Sequence, residues 1–150
     1  NIYESKKARV VGVSNYTIRH LEELRSVSGL VPAVNQCESH PRFMQPELRR
    51  YCWQRGIAFE AFKPLGQGAY VDDPVLNEIG QVNGKSFAQV LIRWHLQHGI
   101  IVIPKASSAK RIRENCDVFD FELDSQEMAL IDSMHVGIST SNNTPDCFDF

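Results

Sequence analysis

Four short apolar runs punctuate the chain of 150 residues, at 9–13, 32–37, 57–62 and 100–103, and each is followed by a segment with helical spacing. Strand–helix units in series leave little choice of fold. Successive strands lie parallel and are joined by right-handed crossovers. The runs are apolar along both faces, the pattern of strands covered on two sides. A closed eight-stranded α/β barrel needs ~250 residues, and this chain supplies about half of that. The expected class is therefore α/β, either a small open sheet or half a barrel.

The segments between the runs carry their own punctuation. Ser14-Asn15-Tyr16-Thr17 is turn and cap chemistry, after which Ile18, Leu21, Leu24 and Val27 recur at helical spacing up to Gly29. Glu38-Ser39-His40-Pro41 reads as a loop. Gln45-Pro46 opens a helix that buries Leu48, Tyr51 and Cys52 and ends at Gly56. Asp73-Pro74 starts another, with Val75, Leu76, Ile79 and Val82 inward and Gly84 closing it. Ser86 caps the next, whose stripe is Phe87, Val90, Leu91 and Trp94. Asp124-Ser125-Gln126-Glu127 is a capping box before a helix with Met128, Ile131 and Met134 inward. Residues 1–7 are polar, the end of a helix or a leader. The tail, 135–150, is rich in Ser, Asn and Thr and reads as loop.

Composition narrows the function classes. A net charge of −2 offers no general field for nucleic acid or an anionic membrane. No apolar run approaches the ~18 residues of a membrane helix. Cys37, Cys52, Cys116 and Cys147 are scattered with no C-x-x-C pair, the usage of reduced thiols in a cytoplasmic protein. Residue 1 is Asn rather than Met, so the sequence is expected to begin partway into a longer product.

The polar groups gather at the strand ends, where parallel α/β folds bind ligands. At 100–115 an apolar strand stops at Pro104, a Lys-Ala-Ser-Ser turn follows, and a polar helix starts with Ser107 or Ser108 as N-cap. Free N–H groups and the positive dipole end make such a junction an anion site, and Lys105, Lys110 and Arg111 reinforce it. A phosphate suits it; the plain alternative is a buried strand before a solvated basic helix. The other strand ends carry Ser14 and Asn15, Asn35 and Gln36, and Phe62 with Lys63. Amides suit a nicotinamide carboxamide and an aromatic ring suits stacking on it. Together the four ends describe a dinucleotide stretched across one rim. Taken singly, Asn15 would only cap a helix, Asn35 and Gln36 would only bridge backbone, and Phe62 would only be core.

Gly12-Val13-Ser14-Asn15-Tyr16, Pro32-Ala33-Val34-Asn35-Gln36 and Ile103-Pro104-Lys105 with Arg111, Glu114 and Asn115 resemble the aldo-keto reductases. Glu38-Ser39-His40-Pro41 and Pro64-Leu65-Gly66 fit the same pattern, and the likeness runs from about residue 1 to about residue 135. The resemblance implies an eight-stranded (β/α)8 barrel of the TIM type, of which this chain is the C-terminal half, with 135–150 as its tail. It implies reduction of small-molecule aldehydes or ketones with NADPH. By motif, Ser14, Asn15 and Gln36 hold the nicotinamide carboxamide and Phe62 stacks on the ring in place of the family's usual tyrosine. Lys63, Leu65 and Gly66 lie beside the pyrophosphate, Lys63 replacing a small hydroxyl residue. Lys105 and Arg111 bind the 2′-phosphate with Ser107 and Ser108 nearby, Ala106 replaces a usual serine, and Glu114 and Asn115 meet the adenine.

The family's catalytic Asp, Tyr, Lys and His precede the matched motifs, so no catalytic residue is assigned here and the chain alone is expected to be inactive. Tyr16, Tyr51 and Tyr70 have packing or loop readings, and His40 matches no catalytic position. Half a barrel has unpaired outer strands, so self-association through open edges is expected. Three other readings stand beside this one. They are a non-catalytic NADP-binding or structural relative, a hydrolase using Glu38 and Glu60, and a metal site at His95 and His98. Phe148 and Phe150 would line an apolar substrate pocket or stay unstructured.

Overall fold

The computed structural model describes residues 5–141; residues 1–4, and with them most of the polar leader, lie outside it, as do Cys147, Phe148 and Phe150. Two compact units make up the chain.

The first unit takes the residues up to Cys37 together with Gln45–Glu60. Strand β1 (Gly12–Ser14) lies parallel to β2 (Val34–Glu38), with Gly12 opposite Val34, Val13 opposite Asn35 and Ser14 opposite Gln36. A Cβ on Gly12 would stand 2.5 Å from Val34 Cγ1, so this close strand approach requires glycine. The β1 strand is shorter than the run at 9–13 suggested, and Val10 is exposed. Helix α1 (Ile18–Ser28) is capped by Thr17, whose hydroxyl accepts from His20 N–H, and is closed by Gly29 at φ +69°. Only Leu21 of its expected stripe is buried, and Val27 is 89% exposed. Helix α2 (Pro46–Gln54) has proline in its first turn and buries Leu48 and Cys52. Tyr51 stays half-buried, its hydroxyl donating to Glu22 at 2.6 Å. Strand β3 (Ala58–Phe62) starts in this unit, Ala58 N–H donating to Ala33 C=O.

The second unit comprises Glu38–Met44 and Ala61–Thr140. It takes over β3 and adds β4 (Ile101–Val102), with Ile103 N–H donating to Ala61 C=O. The strand order is β1-β2-β3-β4. Helices α3 (Pro74–Asn83), α4 (Phe87–Gln97), α5 (Ala109–Cys116) and α6 (Ser125–Asp132) start at caps the sequence offered: Asp73, Ser86, Ser108, and the Asp124–Glu127 box; Gln89 completes a box with Ser86 that the sequence reading did not name. The core is Tyr70, Leu76, Ile79, Val90, Leu91, Trp94, Leu123 and Ile131, with Phe87, Met128 and Met134 packed against it. Each such side chain contributes ~1.5–3 kcal/mol by leaving water. Trp94 Nε1–H donates to Asp132 Oδ1 at 2.9 Å, tying α4 to α6, and His98 Nε2 meets the same oxygen at 2.9 Å.

Two expectations fail here. Val82 is 78% exposed, not inward, because the buried face of α3 runs through Leu76, Ile79 and Gly80, and position 82 lies ~120° round the helix from Leu76. Ile101 and Ile103 are 46% and 44% exposed. The run at 100–103 is therefore not covered on both faces: Ile100 is buried at 3% while Ile101 and Ile103, which share the other face, are open.

Candidate functional site

In the first unit the strand ends present Ser14 and Gln36. Ser14 Oγ donates to Gln36 C=O at 3.1 Å, and Asn15 N–H donates to the same carbonyl at 2.9 Å with Asn15 at φ +57°. A left-handed asparagine at a strand end is tolerable where its backbone is held this way. Gln36 is half-buried and its Nε2–H donates to Glu60 Oε1 at 2.5 Å, which orients the amide and leaves its oxygen without a partner among the described residues. Asn35 is fully buried and brackets Tyr16, its Oδ1 accepting Tyr16 N–H and its Nδ2 donating to Tyr16 C=O. That side chain bridges backbone, the plain reading given for it above, and also meets the Cys52 thiol. The cap of α1 is Thr17 and not Asn15.

The second unit holds the remaining expected residues. Phe62 ends β3, and Lys63, at φ +52°, carries its Nζ 5.9 Å over the Phe62 ring. Leu65 packs on the core. Gly66 is buried at φ +55°, and a Cβ there would stand 2.4 Å from Tyr70 Cε2. The turn and the tyrosine both demand glycine. At the start of α5 the open choice of cap resolves to Ser108, whose Oγ accepts Arg111 N–H at 3.3 Å. Lys105, Ser107 and Arg111 are exposed. Lys110 reaches Glu114 at 3.7 Å, an exposed i,i+4 pair of small energetic weight. Lys105 and Arg111 make no ion pair among the described residues. The junction thus retains two unneutralised cations at a helix N-terminus. Glu114 and Asn115 are half-buried.

The other chemistry raised by the sequence has ordinary partners. His95 Nδ1 lies 2.7 Å from Leu91 C=O and its Nε2 3.1 Å from Ser39 C=O, while His98 pairs with Asp132. Among the described residues no group of three or more His, Cys, Asp or Glu side chains could hold a metal ion. Glu60 is occupied by Gln36, and Glu38 is enclosed by hydrogen bonds donated from His40, Ser139 and Thr140. Neither carboxylate is presented as a hydrolase would need. Tyr70 is fully buried with its hydroxyl on His40, and burial pushes its pKa up, as it does for Tyr51. Burial also pushes the Cys37 thiol up to about 12 and raises Cys52. Both thiols are free, as is exposed Cys116. Among the described residues no helix is long and apolar enough to cross a membrane.

Sequence reasoning missed the part played by Glu38, which it left in a loop. Glu38 is the last residue of β2, and with His40 and Tyr70 it builds a buried polar chain. The available signal was an acid and a histidine two residues apart directly after an apolar strand. It also missed an apolar groove of about 740 Å³ lined by Ile92, Ile101, Val102, Ile112, Val118 and Phe119.

Comparison with known proteins now places the chain. The Aldo/keto reductase family model matches residues 3–136. An uncharacterized oxidoreductase, YtbE of Bacillus subtilis, is 47% identical over 149 residues, covering 99% of this chain and 53% of that protein. The glyoxal reductase of the same organism is 48% identical over 134 residues, covering 89% and 49%. Among solved structures, a Gox0644 variant in complex with NADPH superposes with a TM-score of 0.94 at 40% identity, covering 99% of this chain and 55% of that one. A Bombyx mori aldo-keto reductase in complex with NADP superposes at 0.84 and 32% identity, covering 94% and 50%. The chain belongs to the aldo/keto reductase family. Its fold is α/β of the (β/α)8 type, of which it supplies a part. It spans about half the length of the curated relatives it matches.

Proposed function

We propose that this chain is the cofactor-holding part of an NADPH-dependent reductase of small aldehydes or ketones. The observation that carries the reading is the pair Lys105 and Arg111, exposed at the α5 N-terminus and without an ion-pair partner among the described residues. Such a pair suits a dianionic 2′-phosphate, which separates NADPH from NADH. The open oxygen of the oriented Gln36 amide supports a partner carboxamide.

In this reading Lys105 and Arg111 hold the ribose phosphate, with Ser107 and the Ser108 cap beside it. Ser14, Asn15 and Gln36 orient the nicotinamide, and Phe62 stacks on it. Lys63, Leu65 and Gly66 border the pyrophosphate, and Glu114 and Asn115 meet the adenine. NADPH supplies the hydride when bound. No proton donor is assigned within this chain: Tyr70 is enclosed, and Tyr51 is committed to Glu22. The reading has residues 1–135 as the cofactor-side half of a barrel, inactive alone, in a reducing cytoplasmic setting where its thiols stay free.

Fluorescence titration tests it. Lys105→Ala or Arg111→Ala is expected to weaken NADPH about tenfold or more, from ~1.5–3 kcal/mol per charge-assisted contact, with NADH affinity nearly unchanged. Equal losses for both cofactors would reject 2′-phosphate recognition.

A further inference from the structure

The segment after α6 is stitched to the loop that follows β2. His135 Nδ1 accepts Met44 N–H at 3.3 Å. Val136 and Ile138 N–H both donate to Arg42 C=O at 3.2 Å. Thr140 then donates to Glu38 Oε1 twice, through N–H and through Oγ1–H, each at 2.6 Å. Ser139 Oγ donates to Glu38 Oε2 at 2.8 Å. These residues are largely exposed, with Val136 and Ile138 at 60% and 64%, so apolar burial does not explain their placement.

Glu38 itself is 3% exposed. An ionised carboxylate only accepts, so each group around it must donate. His40 Nε2, at 3.1 Å, therefore carries a proton. Burial favours the neutral imidazole, which makes Nδ1 the acceptor of the Tyr70 hydroxyl at 2.8 Å. Tyr70 oxygen in turn accepts Arg42 N–H at 3.0 Å. One proton order thus runs from the Arg42 amide through Tyr70 and His40 to Glu38. The strap meets this network at both ends, at Arg42 C=O and at the carboxylate. The adjoining Ser39 N–H donates to Phe62 C=O at 3.3 Å, which puts the anchor beside the end of β3.

We propose that Glu38 is a positioning residue whose carboxylate holds residues 135–140 as a strap on the loop that follows β2. The anchoring does not rest on the reductase reading.

Amide hydrogen exchange on the 150-residue chain tests it. The Val136, Ile138 and Thr140 amides are expected to be protected. In Glu38→Gln, which turns one acceptor into a donor, their exchange rises about tenfold or more while α3 and α4 amides keep their rates. Glu38→Asp keeps the charge and both acceptors and recovers protection; equal exchange in the two variants overturns the carboxylate as anchor. The double variant Ser139→Ala/Thr140→Val leaves the buried network whole and loosens the strap by itself, which keeps the test open if a Glu38 variant misfolds. Exchange unchanged in the double variant and in whichever Glu38 variant folds, or strap amides exchanging at free-peptide rates in the original chain, overturns the proposal. NADPH titration on the same samples separates the two claims. Affinity unchanged in the variants fits an effect confined to the strap. Failure of the original chain to bind NADPH removes the reductase reading and leaves the exchange result standing.

Discussion

Gln36 and Glu60 meet at 2.5 Å, the amide of β2 donating to the carboxylate of β3. The bond turns a side chain with two rotatable faces into one with a fixed acceptor direction. Gln36→Ala should therefore lower NADPH affinity by ~0.5–1.5 kcal/mol, the worth of one neutral hydrogen bond. Glu60→Ala, which frees the amide to rotate, should give part of that loss. Titration of both variants checks this, and an unchanged Kd for Gln36→Ala would exclude the contact.

Asp132 accepts from Trp94 Nε1–H and lies within 2.9 Å of His98 Nε2. Trp94 is fully buried. Asp132→Ala strands its indole N–H in the core, which costs ~1–3 kcal/mol. Asp132→Asn retains an acceptor and should cost less. Urea midpoints of the two variants give the comparison.

His40 is held neutral, chiefly by burial, so its folded-state pKa lies below the ordinary 6.5. Between the two values the unfolded chain binds more protons, and stability rises with pH. The protein should thus lose stability as pH falls below about 6.5, the loss ending once pH is under the folded-state value. Denaturation followed from pH 8 to pH 5 in the original chain and in His40→Gln isolates this contribution; the variant's profile should be flatter through that window.

Ile101, Ile103, Ile112 and Phe119 are exposed on β4, α5 and the turn after it, three of them lining the 740 Å³ groove. An unpaired strand edge beside apolar surface invites pairing with a second copy. Sedimentation should show concentration-dependent association that Ile101→Lys and Phe119→Ser reduce. A single monomeric species at all concentrations would contradict this.

The sequence by itself determined which segments become helices and where they start and stop. Pro46, Asp73-Pro74, Ser86 with Gln89, and Asp124 with Glu127 act within one turn of their own helix, and Gly29 and Gly84 close theirs. Chemistry over three or four residues is legible in a linear string. The strand-end residues and the family motifs were legible for the same reason, since each is a short contiguous pattern. The tertiary structure alone decided which side of each element is covered, and so exposed Val27, Val82 and Ile101. It alone decided that Asn35 is spent on Tyr16, that Gln36 meets Glu60 and that Glu38 receives Ser139, 101 residues away. Pairings between distant residues leave no periodic trace, because they depend on where whole elements come to rest after the apolar faces have packed.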